Sequence, residues 1–162
     1  MSEIEIVPFS LQHKAAVIGL AVEAWTPVFA KTRLDVPRFV YDAFYPEGWE
    51  ARQRADVAQL LETEPQNIWL AFAGQRLAGF LGLRMHAQDQ MGEIHIIAVS
   101  PRHQRQGIGL QLMHFAERHI RARGMKMVMV ETIDDTGHEP ARRAYEAFGF
   151  ERWPVARYFK PL

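Results

Sequence analysis

Ile96-Ile97-Ala98-Val99-Ser100-Pro101-Arg102-His103-Gln104-Arg105-Gln106-Gly107-Ile108-Gly109 runs an apolar strand into a polar loop and opens a helix on two glycines. A loop of this kind turns several backbone N–H groups toward one point, and the helix N-terminus adds a partial positive charge. Glycine lets an anion approach the backbone closely. Between residues 101 and 126 the chain carries Arg102, Arg105, Arg118, Arg121, Arg123 and Lys126 against Glu117 alone. In a chain of zero formal net charge, that local excess selects a phosphate or pyrophosphate. A nucleotide P-loop needs Lys-Ser or Lys-Thr after its last glycine, and neither is present. A Rossmann fingerprint needs a third glycine where Leu112 stands and a shorter strand-to-glycine loop. Glu131, at the end of the next apolar run, mimics the ribose-binding acid of that fold, so a dinucleotide-binding oxidoreductase stays open as an alternative.

The rest of the composition narrows the setting. The 162 residues, 48% hydrophobic and 23% charged, suit one globular domain over residues 1–162. Nineteen basic residues balance nineteen acidic ones, so the global positive field of a nucleic-acid binder is missing. The chain has no cysteine, which excludes a disulfide framework, a thiolate zinc site, an iron–sulfur cluster and a cysteine nucleophile. The opening Met1-Ser2-Glu3-Ile4-Glu5 is acidic, unlike a signal peptide, and no apolar run approaches the ~20 residues of a membrane span. The expectation is a cytoplasmic protein without membrane association. His86, His95, His103, His114, His119 and His138 show no zinc-enzyme spacing with a carboxylate, so no metal site is expected.

Periodicity predicts a strand over 3–9, a helix over 11–25, short helices and loops over 26–49, and a helix over 50–64 closed by Pro65. A hairpin of two apolar strands follows over 67–73 and 77–86, then a strand over 93–99 and a helix over 107–123 stopped by Gly124. A strand over 126–132, a helix opening near Pro140, and a last strand over 150–159 interrupted at Pro154 complete the chain. The class is α+β, a mixed sheet with helices.

Gln104-x-x-Gly107-x-Gly109 between strand and helix closely resembles the acyl-CoA-binding signature of the GNAT superfamily of N-acetyltransferases. That superfamily's second signature is a helix of the form Asn-x-x-Ala-x-x-x-Tyr followed by Gly-Phe. Here it reads His138-Glu139-Pro140-Ala141-Arg142-Arg143-Ala144-Tyr145, with Gly149-Phe150 after it. The resemblance covers about residues 67 to 160. It implies a mixed, mostly antiparallel twisted sheet of six to seven strands flanked by about four helices. It further implies acetyl-CoA as cofactor, with the amides of Arg105, Gln106, Gly107, Ile108, Gly109 and Leu110 on the pyrophosphate. Gln104, Ala141 and the strand edge at Ile97, Ala98 and Val99 would complete that cofactor site, the edge pairing with pantetheine. His138 stands where the family usually has a cofactor-contacting Asn, and imidazole still offers one hydrogen bond.

The implied reaction is acetyl transfer to a primary amine. Without cysteine, direct attack in a ternary complex is the simplest route. Glu93, where the family often places its base, stands beside Met91 and Ile94, a setting expected to raise its pKa. His95, two residues on, shares its face and is a second candidate base. Tyr145 coincides with the family's tyrosine and is the expected acid. Trp25, Phe29, Tyr45 and Tyr158 supply aromatic surface, and Glu131 (with Asp134, Asp135 and Glu139) negative charge, for a small-molecule amine. Dimers are common in the family. The rival function is a non-catalytic acyl-CoA-binding module.

Overall fold

Five strands in sequence order make one sheet, β1-β2-β3-β4-β5: β1 (Ile4–Pro8), β2 (Ile68–Ala73), β3 (Arg76–His86), β4 (Met91–Val99) and β5 (Met127–Val130). These ranges come from a computed structural model that describes residues 3–162. The first three junctions are antiparallel and the β4–β5 junction is parallel. That order excludes the doubly wound parallel sheet of a Rossmann fold. The helices are α1 (Lys14–Asp35), α2 (Arg38–Phe44), α3 (Trp49–Thr63), α4 (Ile108–Ala122) and α5 (Glu139–Phe148).

The chain divides into two compact units, one built from residues up to Ala24 with Gln53–Glu131, the other from Trp25–Arg52 with Thr132–Leu162. In the first, β3 buries six consecutive residues, Ala78 to Leu83, as a strand covered on both faces must. Helix α4 lays Ile108, Leu112, Met113, Ala116 and Ile120 into this core, the 3.6-residue periodicity read from the sequence. Register shifts mark two β-bulges. Leu83 opposes Ile94 while Gly82 opposes Ile96, so His95 is the extra residue in β4.

In the second unit, the loop before α5 is fastened to the end of α1. Asp35 Oδ2 accepts the Thr136 N–H at 2.8 Å and its hydroxyl at 2.5 Å. A Cβ on Gly137 would fall 2.6 Å from the Val28 carbonyl oxygen, so only glycine permits this approach.

Three expectations change. Helix α1 continues through Pro27 to Asp35, where loops and short helices were expected. Proline deletes one hydrogen bond and strains one turn, while buried Phe29 and Thr32 beyond it hold the helical path. The strand predicted over 150–159 does not form: Pro154 lacks an N–H, and Trp153, Val155 and Tyr158 are exposed. Among the described residues the sheet therefore has five strands rather than six or seven, and the fold has five α-helices rather than about four. Among the described residues no helix is long and apolar enough to cross a membrane.

Candidate active site

The loop between β4 and α4 carries two residues at positive φ, two positions apart. Arg105 has φ of 61° and Gly107, the N-cap of α4, has φ of 79°. Alternating left- and right-handed residues are what curls a backbone into an anion-binding nest. The Gln104 amide donates to the Val99 carbonyl at 3.3 Å and that of Gln106 to Arg102 at 3.4 Å, so the loop ties itself down with its own side chains. The Ile108 side chain is buried in the core, while Leu110 is exposed.

Gly109 is the diagnostic position. A Cβ there would meet only Val99 Cγ2, at 3.7 Å, an ordinary contact. Nothing in the protein's own packing requires glycine, and the space it leaves suits a close-approaching phosphate. β5 pairs with β4 only from Met91 to Ile94. Among the described residues, Ile96 to Val99 are therefore paired to β3 on one side and to no strand on the other. An extended chain carrying amides fits that open edge.

Glu93 is half-buried on β4 with Oε2 2.6 Å from His86 Nε2 and Oε1 3.3 Å from His95 Nδ1. His95 Nδ1 is also 3.1 Å from Arg84 Nη1. Arg84 is clamped by Glu64 through Nε at 3.1 Å and Nη2 at 2.7 Å. The expectation of a raised Glu93 pKa is corrected. Burial does push it up, but opposing effects, the His86 hydrogen bond first among them, hold it below the ordinary glutamate value. Its carboxylate is thus ionised at neutral pH. Glu64 is likewise lowered, chiefly by the Arg84 hydrogen bond.

His138, Ala141 and Tyr145 sit at the N-cap, third and seventh positions of α5, a spacing that puts them on one helix face. His138 Nδ1 is 2.6 Å from Asp135 Oδ1. Tyr145 is half-buried, its ring meeting Phe150 edge-on at 5.9 Å, and burial pushes its hydroxyl pKa up.

Of the residues expected to meet an acceptor, Phe29 is buried, stacked on Trp49 at 4.6 Å and edge-on to Tyr45 at 5.3 Å. These two belong to the core of the second unit. Trp25 is half-buried, while Tyr158 and Glu131 are exposed. Within the acidic cluster, Asp134 pairs with Arg142 and Arg152, Asp135 with His138, and Glu139 with Arg143. His86, Arg84 and Glu64 had no expected role. The hairpin register, which sets Arg84 opposite Glu93, is the signal that joins them to the site.

The mycothiol acetyltransferase of Streptomyces avermitilis is 32% identical over 146 residues, covering 89% of this chain and 44% of that protein. That of Thermobispora bispora is 29% identical over 142 residues, covering 85% and 45%. The chain thus spans less than half the length of these curated relatives. Among solved structures, the PaiA N-acetyltransferase of Thermoplasma acidophilum in complex with coenzyme A superposes with a TM-score of 0.69 at 18% identity, covering 95% of this chain and 93% of that one. The aminoglycoside N-acetyltransferase AAC(6')-Iy with a bisubstrate analog gives 0.65 at 18% identity, covering 99% and 100%. The acetyltransferase (GNAT) family model matches residues 36–150, a span that holds both signatures and strands β2 to β5, and the chain belongs to that family.

Proposed function

We propose that residues 1–162 form one N-acetyltransferase domain that transfers acetyl from acetyl-CoA directly to the primary amine of a small molecule. The observation that carries this is the nest-like loop from Arg105 to Leu110, with positive φ at Arg105 and Gly107, and a glycine, Gly109, at which an added Cβ would meet no atom closer than 3.7 Å. Amides of that nest would hold the pyrophosphate, and the open edge at Ile97–Val99 would pair with the pantetheine arm, with Gln104 bracing the loop and His138 and Ala141 on the α5 face. Acetyl-CoA, when bound, supplies an activated acetyl group on a good leaving thiol.

The chain's own residues supply the proton transfers. Glu93, ionised at neutral pH, accepts a proton from the acceptor amine. Tyr145 keeps its hydroxyl proton at neutral pH, because burial raises its pKa, and has it available for a departing thiolate. Neither step needs a covalent enzyme intermediate, consistent with a chain that lacks cysteine. The names of relatives at 30% identity and above, mycothiol acetyltransferases, support a small-molecule acceptor.

A panel of small amines with acetyl-CoA, monitored by free-thiol release, tests the proposal. Acceptor-dependent release with micromolar coenzyme A binding is expected. Binding without release for any amine would favour the non-catalytic acyl-CoA-binding module.

A further inference from the structure

We infer that His86 is the positioning residue for Glu93: its Nε2–H holds one carboxylate oxygen and leaves the other for the acceptor's proton, while Arg84 keeps His95 out of that role. The inference rests on the reading of Glu93 as the base and adds a division of labour between the two flanking imidazoles.

The assignment follows from which atoms are able to donate. A carboxylate only accepts, so the 2.6 Å contact from His86 Nε2 to Glu93 Oε2 places a hydrogen on that nitrogen. A guanidinium only donates, so the 3.1 Å contact from Arg84 Nη1 to His95 Nδ1 requires a bare Nδ1, and neutral His95 carries its hydrogen on Nε2. The 3.3 Å approach of that same Nδ1 to Glu93 Oε1 then has no hydrogen between its atoms. Oε1 is left without an imidazole donor, and His95 has no lone pair on Nε2 with which to act as base.

Arg84 is not free to turn away. Glu64, at the end of α3, grips it with both carboxylate oxygens. His95 is the extra residue of the β4 bulge, and its Nδ1 lies 3.1 Å from Arg84 Nη1. The groups around the carboxylate are Arg84 and His86 from β3, His95 from β4 and, through Arg84, Glu64. The adjoining strand contributes only apolar residues, Met127 to Val130. His86 is therefore the one imidazole that donates to Glu93, and its loss removes that hydrogen bond while burial continues to disfavour the charged form.

The test compares kcat/KM against pH for the full chain and for His86→Leu, His86→Gln and Glu93→Gln, using acetyl-CoA and the best amine from the panel. In His86→Leu the acid limb is expected to move up by about one pH unit, with the KM for acetyl-CoA unchanged. His86→Gln, whose amide still donates, is expected to bring the limb back. An unmoved limb in His86→Leu, with the limb abolished in Glu93→Gln, overturns the inference and spares the base. A Glu93→Gln variant that keeps both rate and limb overturns the base itself. Nitrogen-15 shifts of the histidines at pH 8 read the tautomers without turnover: a hydrogen on Nε2 of both His86 and His95 is expected, and one on Nδ1 of either refutes the assignment.

Discussion

Asp135 Oδ1 accepts both side-chain Nδ1–H and backbone N–H of His138, at 2.6 and 2.9 Å. The other oxygen, Oδ2, takes the Thr32 hydroxyl at 2.5 Å. The carboxylate thus closes the N-terminus of α5 and fastens it to α1, from a position only 7% exposed. It also fixes what His138 presents on its other nitrogen: with Nδ1 committed, neutral His138 has a bare Nε2, an acceptor where asparagine would also donate.

Asp135→Ala orphans both His138 donors and leaves the Thr32 hydroxyl only the Val28 carbonyl at 3.1 Å, and is expected to destabilise the protein by about 2–3 kcal/mol. Thr32→Val, which removes one donor and keeps the shape, is expected to cost about 1 kcal/mol. Urea denaturation reads both. An Asp135→Ala loss below that of Thr32→Val would show that the carboxylate does not organise the loop.

The two loop glycines are expected to separate in function. At Gly107, with φ of 79°, alanine is strained and should cost more than about 1 kcal/mol whatever the ligand. At Gly109 a Cβ meets nothing closer than 3.7 Å and alanine favours the helix, so stability should hold or rise by up to about 1 kcal/mol. Coenzyme A affinity, by contrast, should fall at least tenfold for Gly109→Val. Paired melting and calorimetric titration check this. Equal coenzyme A affinity in Gly109→Val would remove the nest as the pyrophosphate site.

Patterns with a strict period were legible in the sequence. The apolar run of β3 and the stripe of α4 each follow from local spacing, and the loop between β4 and α4 could be placed because both flanks were certain. What escaped depends on partners distant in sequence. Pro27 reads as a stop, yet buried Phe29 and Thr32 carry α1 past it. The tail from 150 to 159 has strand-like composition, but composition does not supply a neighbouring strand to pair with. Asp134 and Asp135 look like a solvated acidic turn until Arg142, Arg152, Thr32 and His138 close on them. The direction of the Glu93 pKa was missed for the same reason. Its apolar sequence neighbours argue for a rise, while His86, across the hairpin, works against it.

Glu64 and Arg84 predict how stability responds to acid. The folded-state pKa of Glu64 lies below its unfolded value, because Arg84 hydrogen-bonds to the charged form. Its contribution is therefore fully present above the unfolded value of 4.5 and is lost as pH falls through the lower folded-state value. Arg84→Met removes the cause of the shift. The variant should be less stable than the parent at pH 7, and the gap should narrow as pH drops below about 4.5. Melting temperatures across pH 3 to 7 measure this. A constant gap would place the loss in packing rather than in the ion pair.

Tyr145 separates a proton donor from a packing residue. Phenylalanine keeps the ring that meets Phe150 and deletes only the hydroxyl, so the fold and the KM for acetyl-CoA should change little. As general acid, its loss should lower kcat by about 100-fold. Because burial raises the hydroxyl's pKa above its usual 10.0, the parent should show no loss of activity from this group up to that pH. The size of the kcat defect should also depend on the leaving group. An acetyl thioester of a more acidic thiol departs without help, so the penalty of Tyr145→Phe should shrink on such a donor. A defect of equal size on both donors would assign the hydroxyl to positioning and leave the departing thiolate to take its proton from water.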